Sequence, residues 1–222
     1  MEETVIKYIH CGRSIYSFSC PNGGYSERPG GAARQCPICL QILTFGLLDA
    51  PVCVPCPLRN GHQVSCAFLI GSAHGPSHLG EWQDSEIHVG LSDSAGLVYN
   101  YTLSGVQRDD RGWEQCVCVQ LVPPSRPELR ELWDTHLQLF ALLPEWASER
   151  FEEEREFGSC CYGFALTFIN RMRSLDNKDC LSRDEFTGRY ILPRMKTVSL
   201  YISIYQTILQ HGFHIANTAD DE

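Results

Sequence analysis

Two Cys-x-x-Cys pairs lie close together near the N-terminus of this chain, at Cys36–Cys39 and Cys53–Cys56, with 13 residues between them. The two thiolates of such a pair can meet at one tetrahedral Zn²⁺. One interpretation is therefore a zinc site with four cysteine ligands. Such a site would staple the N-terminal part of the chain together.

A second set of ligands competes with this quartet. Cys11 is followed by Gly12, which resembles the second half of a zinc-ribbon knuckle, and His10 precedes it. The alternative zinc site therefore combines two knuckle-like segments, with the ligands Cys36, Cys39, Cys11 and His10. His62 and Cys66 are further candidates for the fourth ligand. Two further interpretations of these cysteines stay open, namely buried thiols and a redox pair, because spacing alone does not distinguish them from a zinc site.

The charge and the cysteine content narrow the class of protein. Twelve cysteines accompany an N-terminus that carries acid where a secretory signal carries base. We therefore expect reduced thiols and an intracellular protein, with cytosol and nucleus not distinguished. The apolar runs are too short for a transmembrane segment. A net charge of −9 and a pI near 5.3 argue against nucleic-acid binding.

The pattern of the chain predicts an α+β protein with a cysteine-rich lobe over residues 1–66 and an α+β domain over 67–222. Residues 87–91 and 97–101 flank a turn and predict a β-hairpin, and 115–122 predicts a further strand. Helices are expected from Pro127 to about Leu142, from about Cys160 to Arg173, and from about Arg194 to His211. A capping box at Ser182 opens a short helix between them.

Cys161 and His88 form a second constellation of reactive side chains. A cysteine in the first turn of a helix gains from the positive end of the helix dipole, which favours the thiolate. A histidine on a neighbouring strand could then act as its base. The same two residues are also typical of ordinary packing, so spacing alone gives this pair little weight.

Several runs of the sequence closely resemble the makorin-2 opposite strand protein family of vertebrates. They are Ile87-His-Val-Gly-Leu91, Gly96-Leu-Val-Tyr-Asn-Tyr101, Gly105-Val-Gln-Arg-Asp109 and Cys161-Tyr-Gly-Phe-Ala165. The resemblance extends over most of the chain.

The order of a His-x-Gly hairpin, a Trp-Asp helix and a cysteine at the head of a helix also looks like the circularly permuted papain-like thiol hydrolases. That group includes the NlpC-type and the lecithin-retinol acyltransferase-like proteins. The likeness implies a papain-like antiparallel sheet with packed C-terminal helices. It also implies Cys161 as nucleophile and His88 as general base, with Asn100 or Tyr99 near the polar group that orients the imidazole. Cys160 stands where that group usually has asparagine before the nucleophile.

Two functions follow from these observations. The first is a non-catalytic adaptor that presents a metal-stapled lobe to a protein partner. The second is a thiol hydrolase or acyltransferase in which Cys161 attacks an amide, isopeptide or ester carbonyl and His88 moves the proton.

Overall fold

The computed structural model describes residues 3–19, 35–46, 49–73, 86–151 and 160–216. The chain divides into two compact units. Unit 1 comprises residues Met1–Cys56 together with Leu200–Glu222, and unit 2 comprises Pro57–Ser199. None of the helices in these described ranges is long and apolar enough to cross a lipid bilayer.

Unit 1 contains a four-stranded antiparallel sheet in the order β3-β1-β2-β9. Its strands are β1 (Val5–His10), β2 (Arg13–Phe18), β3 (Val52–Cys53) and β9 (His214–Ile215). A two-residue turn joins β1 to β2, and both turn residues have positive φ, as a type I′ hairpin requires. On one face, Tyr8, Ile15 and Cys36 form a small buried core.

Unit 2 contains a five-stranded antiparallel sheet in the order β7-β6-β5-β4-β8. The strands are β4 (Ala67–Ser72), β5 (Ile87–Ser92), β6 (Val98–Thr102), β7 (Gly105–Asp109) and β8 (Val117–Gln120). Neighbouring side chains along each strand point to opposite faces. Phe68, Leu91 and Tyr99 share one face through their register. Ala67, Leu69 and Val98 lie with Trp113 in the core of the other face.

The helices are α1 (Pro127–Phe140), α2 (Cys161–Leu175), α3 (Arg183–Phe186) and α4 (Leu192–His211), and a π-helical turn at Thr187–Ile191 separates α3 from α4. The first of these begins at a proline, where the missing N–H costs no helical hydrogen bond. The capping box predicted at Ser182 is present, because Ser182 and Glu185 exchange side-chain and backbone hydrogen bonds.

An aromatic cluster holds α2 in the core of unit 2. Phe168 packs edge-on against Trp133 at a centroid distance of 4.8 Å, and Phe164 lies 5.2 Å from Trp146 and 6.1 Å from Tyr101. Since Tyr101 belongs to β6, this cluster places α2 on the Phe68–Tyr101 face of the sheet.

The α+β class and the antiparallel sheet are confirmed, as are the hairpin formed by β5 and β6 and the four helical segments. Two expectations differ from the structure. No strand was predicted within the cysteine-rich lobe over residues 1–66, yet it contains the hairpin of β1 and β2. We also placed a domain boundary after residue 66, whereas unit 1 ends at Cys56 and takes in residues 200–222, because β9 pairs with β2 through Ile15 and Tyr16.

Candidate metal centre

Two backbone turns bring four potential metal ligands together in unit 1. The first is the β1–β2 turn, where Cys11 and Gly12 have φ of 54° and 69°. It places His10 and Cys11 side by side at the end of the hairpin. The second turn runs from Cys36 to Leu40. The Leu40 N–H donates to the Cys36 carbonyl oxygen at 2.9 Å.

The Cys36–Cys39 turn has the form of a metal-binding knuckle. The Ile38 N–H donates to Cys36 Sγ at 3.4 Å, a contact that stabilises a thiolate. Leu40, directly after the second cysteine, has φ of 60°, a conformation that ordinarily favours glycine. Cys36 itself is buried against Tyr8 and Ile15, while Cys39 and Cys11 are exposed.

The ligand atoms of His10, Cys11, Cys36 and Cys39 all lie within 4.8 Å of one another. Cys11 Sγ is 4.0 Å from Cys36 Sγ, and His10 Nδ1 is 3.2 Å from Cys11 Sγ and 3.7 Å from Cys39 Sγ. Neighbouring ligands of a tetrahedral Zn²⁺ stand about 3.8 Å apart for two sulfurs and about 3.6 Å for sulfur and nitrogen, given the usual bond lengths. This cluster could therefore hold a metal ion with little rearrangement.

The thiols of the cluster influence one another's ionisation. Burial raises the pKa of Cys36, but the N–H groups of Cys39 and Ile38 and the two neighbouring thiols outweigh it and bring that pKa down to about 7 from 9.0. The hydrogen bond with Cys39, followed by burial, raises the pKa of Cys11 to about 11. One thiolate thus forms readily in the absence of metal, and its charge opposes a second.

The other candidate ligands do not join this group. Among the residues that the structure describes, the four above form the one cluster of metal-ligating side chains. Cys53 lies in β3, opposite Ile6. His62 donates from Nδ1 to the Gly96 carbonyl oxygen at 2.8 Å, and Cys66 is fully buried.

The remaining thiols include two that burial keeps protonated. The eleven described cysteines form no disulfide. Burial raises the pKa of Cys66 to about 12 and that of Cys118 to about 11, so both stay protonated at neutral pH. These thiols act as small apolar side chains.

The structure brings His88 and Asn100 together. His88 Nε2 donates to Asn100 Oδ1 at 3.0 Å, and Asn100 Nδ2 in turn donates to Asp109 Oδ2 at 2.7 Å. Trp113 Nε1 also donates to that carboxylate at 3.1 Å, and the indole lies 5.8 Å from the His88 ring. The histidine therefore has a defined orientation on the sheet.

Cys161 and His88 are not brought together. Cys161 is the first residue of α2, which packs on the Phe68–Tyr101 face. His88 alternates with the buried Val89 and points to the opposite face, where Trp113 covers it. The structure thus places the helix that carries the expected nucleophile and the side chain of the expected base on opposite faces of the sheet.

Sequence reasoning missed Asp109 and Trp113, which complete the network around His88. Asp109 reaches Asn100 diagonally, because Asn100 is directly opposite Gln107 in the β6–β7 pair. The available signal in the sequence was Gly105, because a glycine between two strand-like runs favours a hairpin. In the structure its φ is 84°.

Comparison with known proteins places the chain among relatives of similar length. The DUF4796 C-terminal family model matches residues 51–208, and the DUF4796 N-terminal model matches residues 3–43. The human MKRN2 opposite strand protein is 37% identical over 217 residues, which cover 97% of this chain and 90% of that protein. No solved structure matches, so the papain-like likeness gains no support from structural comparison.

Proposed function

This chain belongs to the DUF4796 family, and we propose that it is a zinc-binding, non-catalytic adaptor whose unit 1 is stapled by a structural Zn²⁺. The ligands are His10, Cys11, Cys36 and Cys39. The observation that carries this proposal is the convergence of the four ligand atoms within 4.8 Å from two separate turns.

The donor set favours zinc and a structural role. Three thiolates and one imidazole are soft to borderline ligands, which suit Zn²⁺ and do not suit Mg²⁺ or Ca²⁺. Four protein ligands fill a tetrahedral site and leave no position for a reacting water. A closed site of this kind contributes folding energy rather than chemistry.

Exposed apolar side chains beside the ligands support the adaptor role. Ile9 precedes His10, Ile38 precedes Cys39 and Leu40 follows it, and these side chains are 66%, 41% and 68% exposed. Leu40 also occupies a left-handed conformation, which costs a branched residue roughly 1 kcal/mol. A strained, exposed leucine is more readily understood if its side chain contacts a partner protein.

The second function, a thiol hydrolase or acyltransferase, is less well supported by the positions of α2 and His88. It needs Cys161 within reach of a base, and His88 lies across the sheet from α2.

Elemental analysis of protein purified without chelators or added metal tests the zinc site. We expect about one zinc per chain, because structural sites bind tightly. Cys36→Ser should lower the content to a small fraction. Cys53→Ser, which alters the other Cys-x-x-Cys pair, should leave it unchanged. Full zinc retention in Cys36→Ser, or its loss in Cys53→Ser, would contradict the ligand set.

Partner binding is tested by comparing two charge substitutions on exposed leucines. Leu40→Asp should abolish the binding of proteins that co-purify with the wild-type chain. Leu139→Asp on α1, where the side chain is 57% exposed, should leave that binding unchanged. Both variants should hold zinc. Equal retention by the two variants would remove the apolar surface beside the metal from the proposal.

A further inference from the structure

A cavity of ≈ 140 Å³ opens between α1, α2 and the π-helical turn of unit 2. Its floor is formed by side chains that are almost fully buried: Trp133, Ile169, Met172 and Phe186. Protein interiors leave few voids larger than a water molecule. A space of this size is comparable to an apolar cavity that takes up one benzene ring.

Nine of the thirteen side chains that line the cavity are apolar or aromatic, and the others are Gln120, Arg173, Asp176 and Lys178. Trp133 Nε1 donates to the Ser92 carbonyl oxygen at 3.1 Å, so the indole has already used its one polar group. Leu129 and Leu181 line the space as well. The interior thus suits an apolar body better than ordered water.

The mouth of the cavity is basic. Arg173 and Lys178 line it together with Asp176. The Asp176 carboxylate accepts both Arg126 Nη1 and Nη2, at 3.0 and 2.8 Å, and lies 2.6 Å from Lys178 Nζ. Two cations, Arg126 and Lys178, therefore contact this carboxylate, while Arg173 Nε donates to the Asp179 carbonyl oxygen at 2.8 Å. The side chains that line the cavity carry two cations, Arg173 and Lys178, and one carboxylate.

The π-helical turn Thr187–Ile191 contributes Tyr190 to the cavity wall. Turns of this kind are rare and are frequently found at functional sites. The Tyr190 carbonyl oxygen accepts a hydrogen bond from Arg194 Nη1 at 2.8 Å, which anchors the wider turn to the start of α4.

We infer that this cavity binds a small organic acid whose apolar body inserts one aromatic ring, as the benzo ring of an indole would. The body would lie against Trp133, Met172 and Tyr190, and the carboxylate would lie at the mouth near Arg173 and Lys178. The volume of the cavity limits the size of the apolar part of the ligand, and the charge at the mouth favours an acidic head group.

Methionine methyl signals of the full-length, zinc-loaded chain provide the readout. The sequence has three methionines, and among the described residues Met172 lines the cavity whereas Met195 in α4 does not, so Met195 serves as an internal control. The probes share one ring system and differ in charge: indole-3-acetate, indole-3-acetamide and tryptamine. We expect indole-3-acetate to shift the Met172 signal with a Kd of about 1 mM or tighter, followed by the amide and then the amine.

Two matched arginine variants test the charged mouth. Arg173→Gln should weaken indole-3-acetate binding by about tenfold and leave the amide unchanged, because only the acid loses a charged partner. Arg171→Gln, two positions earlier on the exposed side of α2, should change neither.

Three outcomes would overturn the inference. The first is an unmoved Met172 signal at about 10 mM indole-3-acetate, well above the expected Kd. The second is tryptamine binding as tightly as the acid. The third is a tripeptide, acetyl-Asp-Trp-Asp-amide, that binds while the free acid does not, since this would identify a peptide site instead.

Discussion

The carbonyl oxygen of His62 lies against the α-carbon of Gly96, so close that a methyl group on Gly96 would overlap it. The His62 ring meanwhile donates from Nδ1 to the Gly96 carbonyl oxygen at 2.8 Å. Gly96 has φ of 88° in the turn between β5 and β6. The contacts between His62 and Gly96 therefore hold this turn against the 3-10 turn at Gly61–Gln63.

Gly96→Ala should lower the free energy of unfolding by at least about 2 kcal/mol, because the new methyl group adds overlap to an unfavourable φ. Chemical denaturation measures this change. Gly188→Ala is the control, since a methyl group there meets nothing within 4 Å and the residue lies in a helical segment. The control should be neutral or stabilising by up to about 1 kcal/mol. Similar effects at the two glycines would disprove the close approach.

Phe168→Ala should destabilise the protein by roughly 3 to 5 kcal/mol, as expected when a large aromatic side chain is removed from a core. Phe168 is fully buried between Trp133 and Phe140. Leu139→Ala, at an exposed position of α1, should change the free energy of unfolding by less than about 0.5 kcal/mol. A loss below about 1 kcal/mol for Phe168→Ala would mean that α2 is not the core helix.

Leu40→Gly should stabilise zinc-loaded protein by about 1 kcal/mol, because glycine adopts the left-handed conformation of this position without strain. Ile42→Gly gives the comparison: its side chain is also exposed, but its φ is not positive, so we expect a loss of stability there. Thermal unfolding of the two variants measures the difference. Destabilisation by Leu40→Gly would show that the leucine side chain contributes more than the strain costs.

Regular patterns allowed much of unit 2 to be predicted. Alternation identified β5 and β6, and apolar spacing with caps identified α1, α2 and α4. Unit 1 was harder, because β9 contributes only His214 and Ile215 and pairs with a strand about 200 residues earlier. Nothing local in a two-residue strand indicates such a long-range partner.

The metal ligands could be named but not selected from the sequence. The sequence supports Cys53 and Cys11 equally well as ligands. The structure selects Cys11, because the hairpin of β1 and β2 places its turn next to Cys36. The case of His88 is different, since the sequence held a warning. Val89 and Leu91 are the alternating apolar residues of β5, so the core helix packs against the face on which they lie. Because successive side chains of a strand point to opposite faces, His88 faces away from that helix.

The pairing of β9 with β2 has a consequence for the order of events during synthesis. Unit 1 contains residues from both sides of Pro57–Ser199. While a ribosome is making that intervening segment, β2 has one hydrogen-bonding edge without its partner strand, and such edges invite association with other chains. A zinc ion captured at His10, Cys11, Cys36 and Cys39 would need only residues that have already been translated. It would hold the nascent hairpin in shape until His214 and Ile215 emerge.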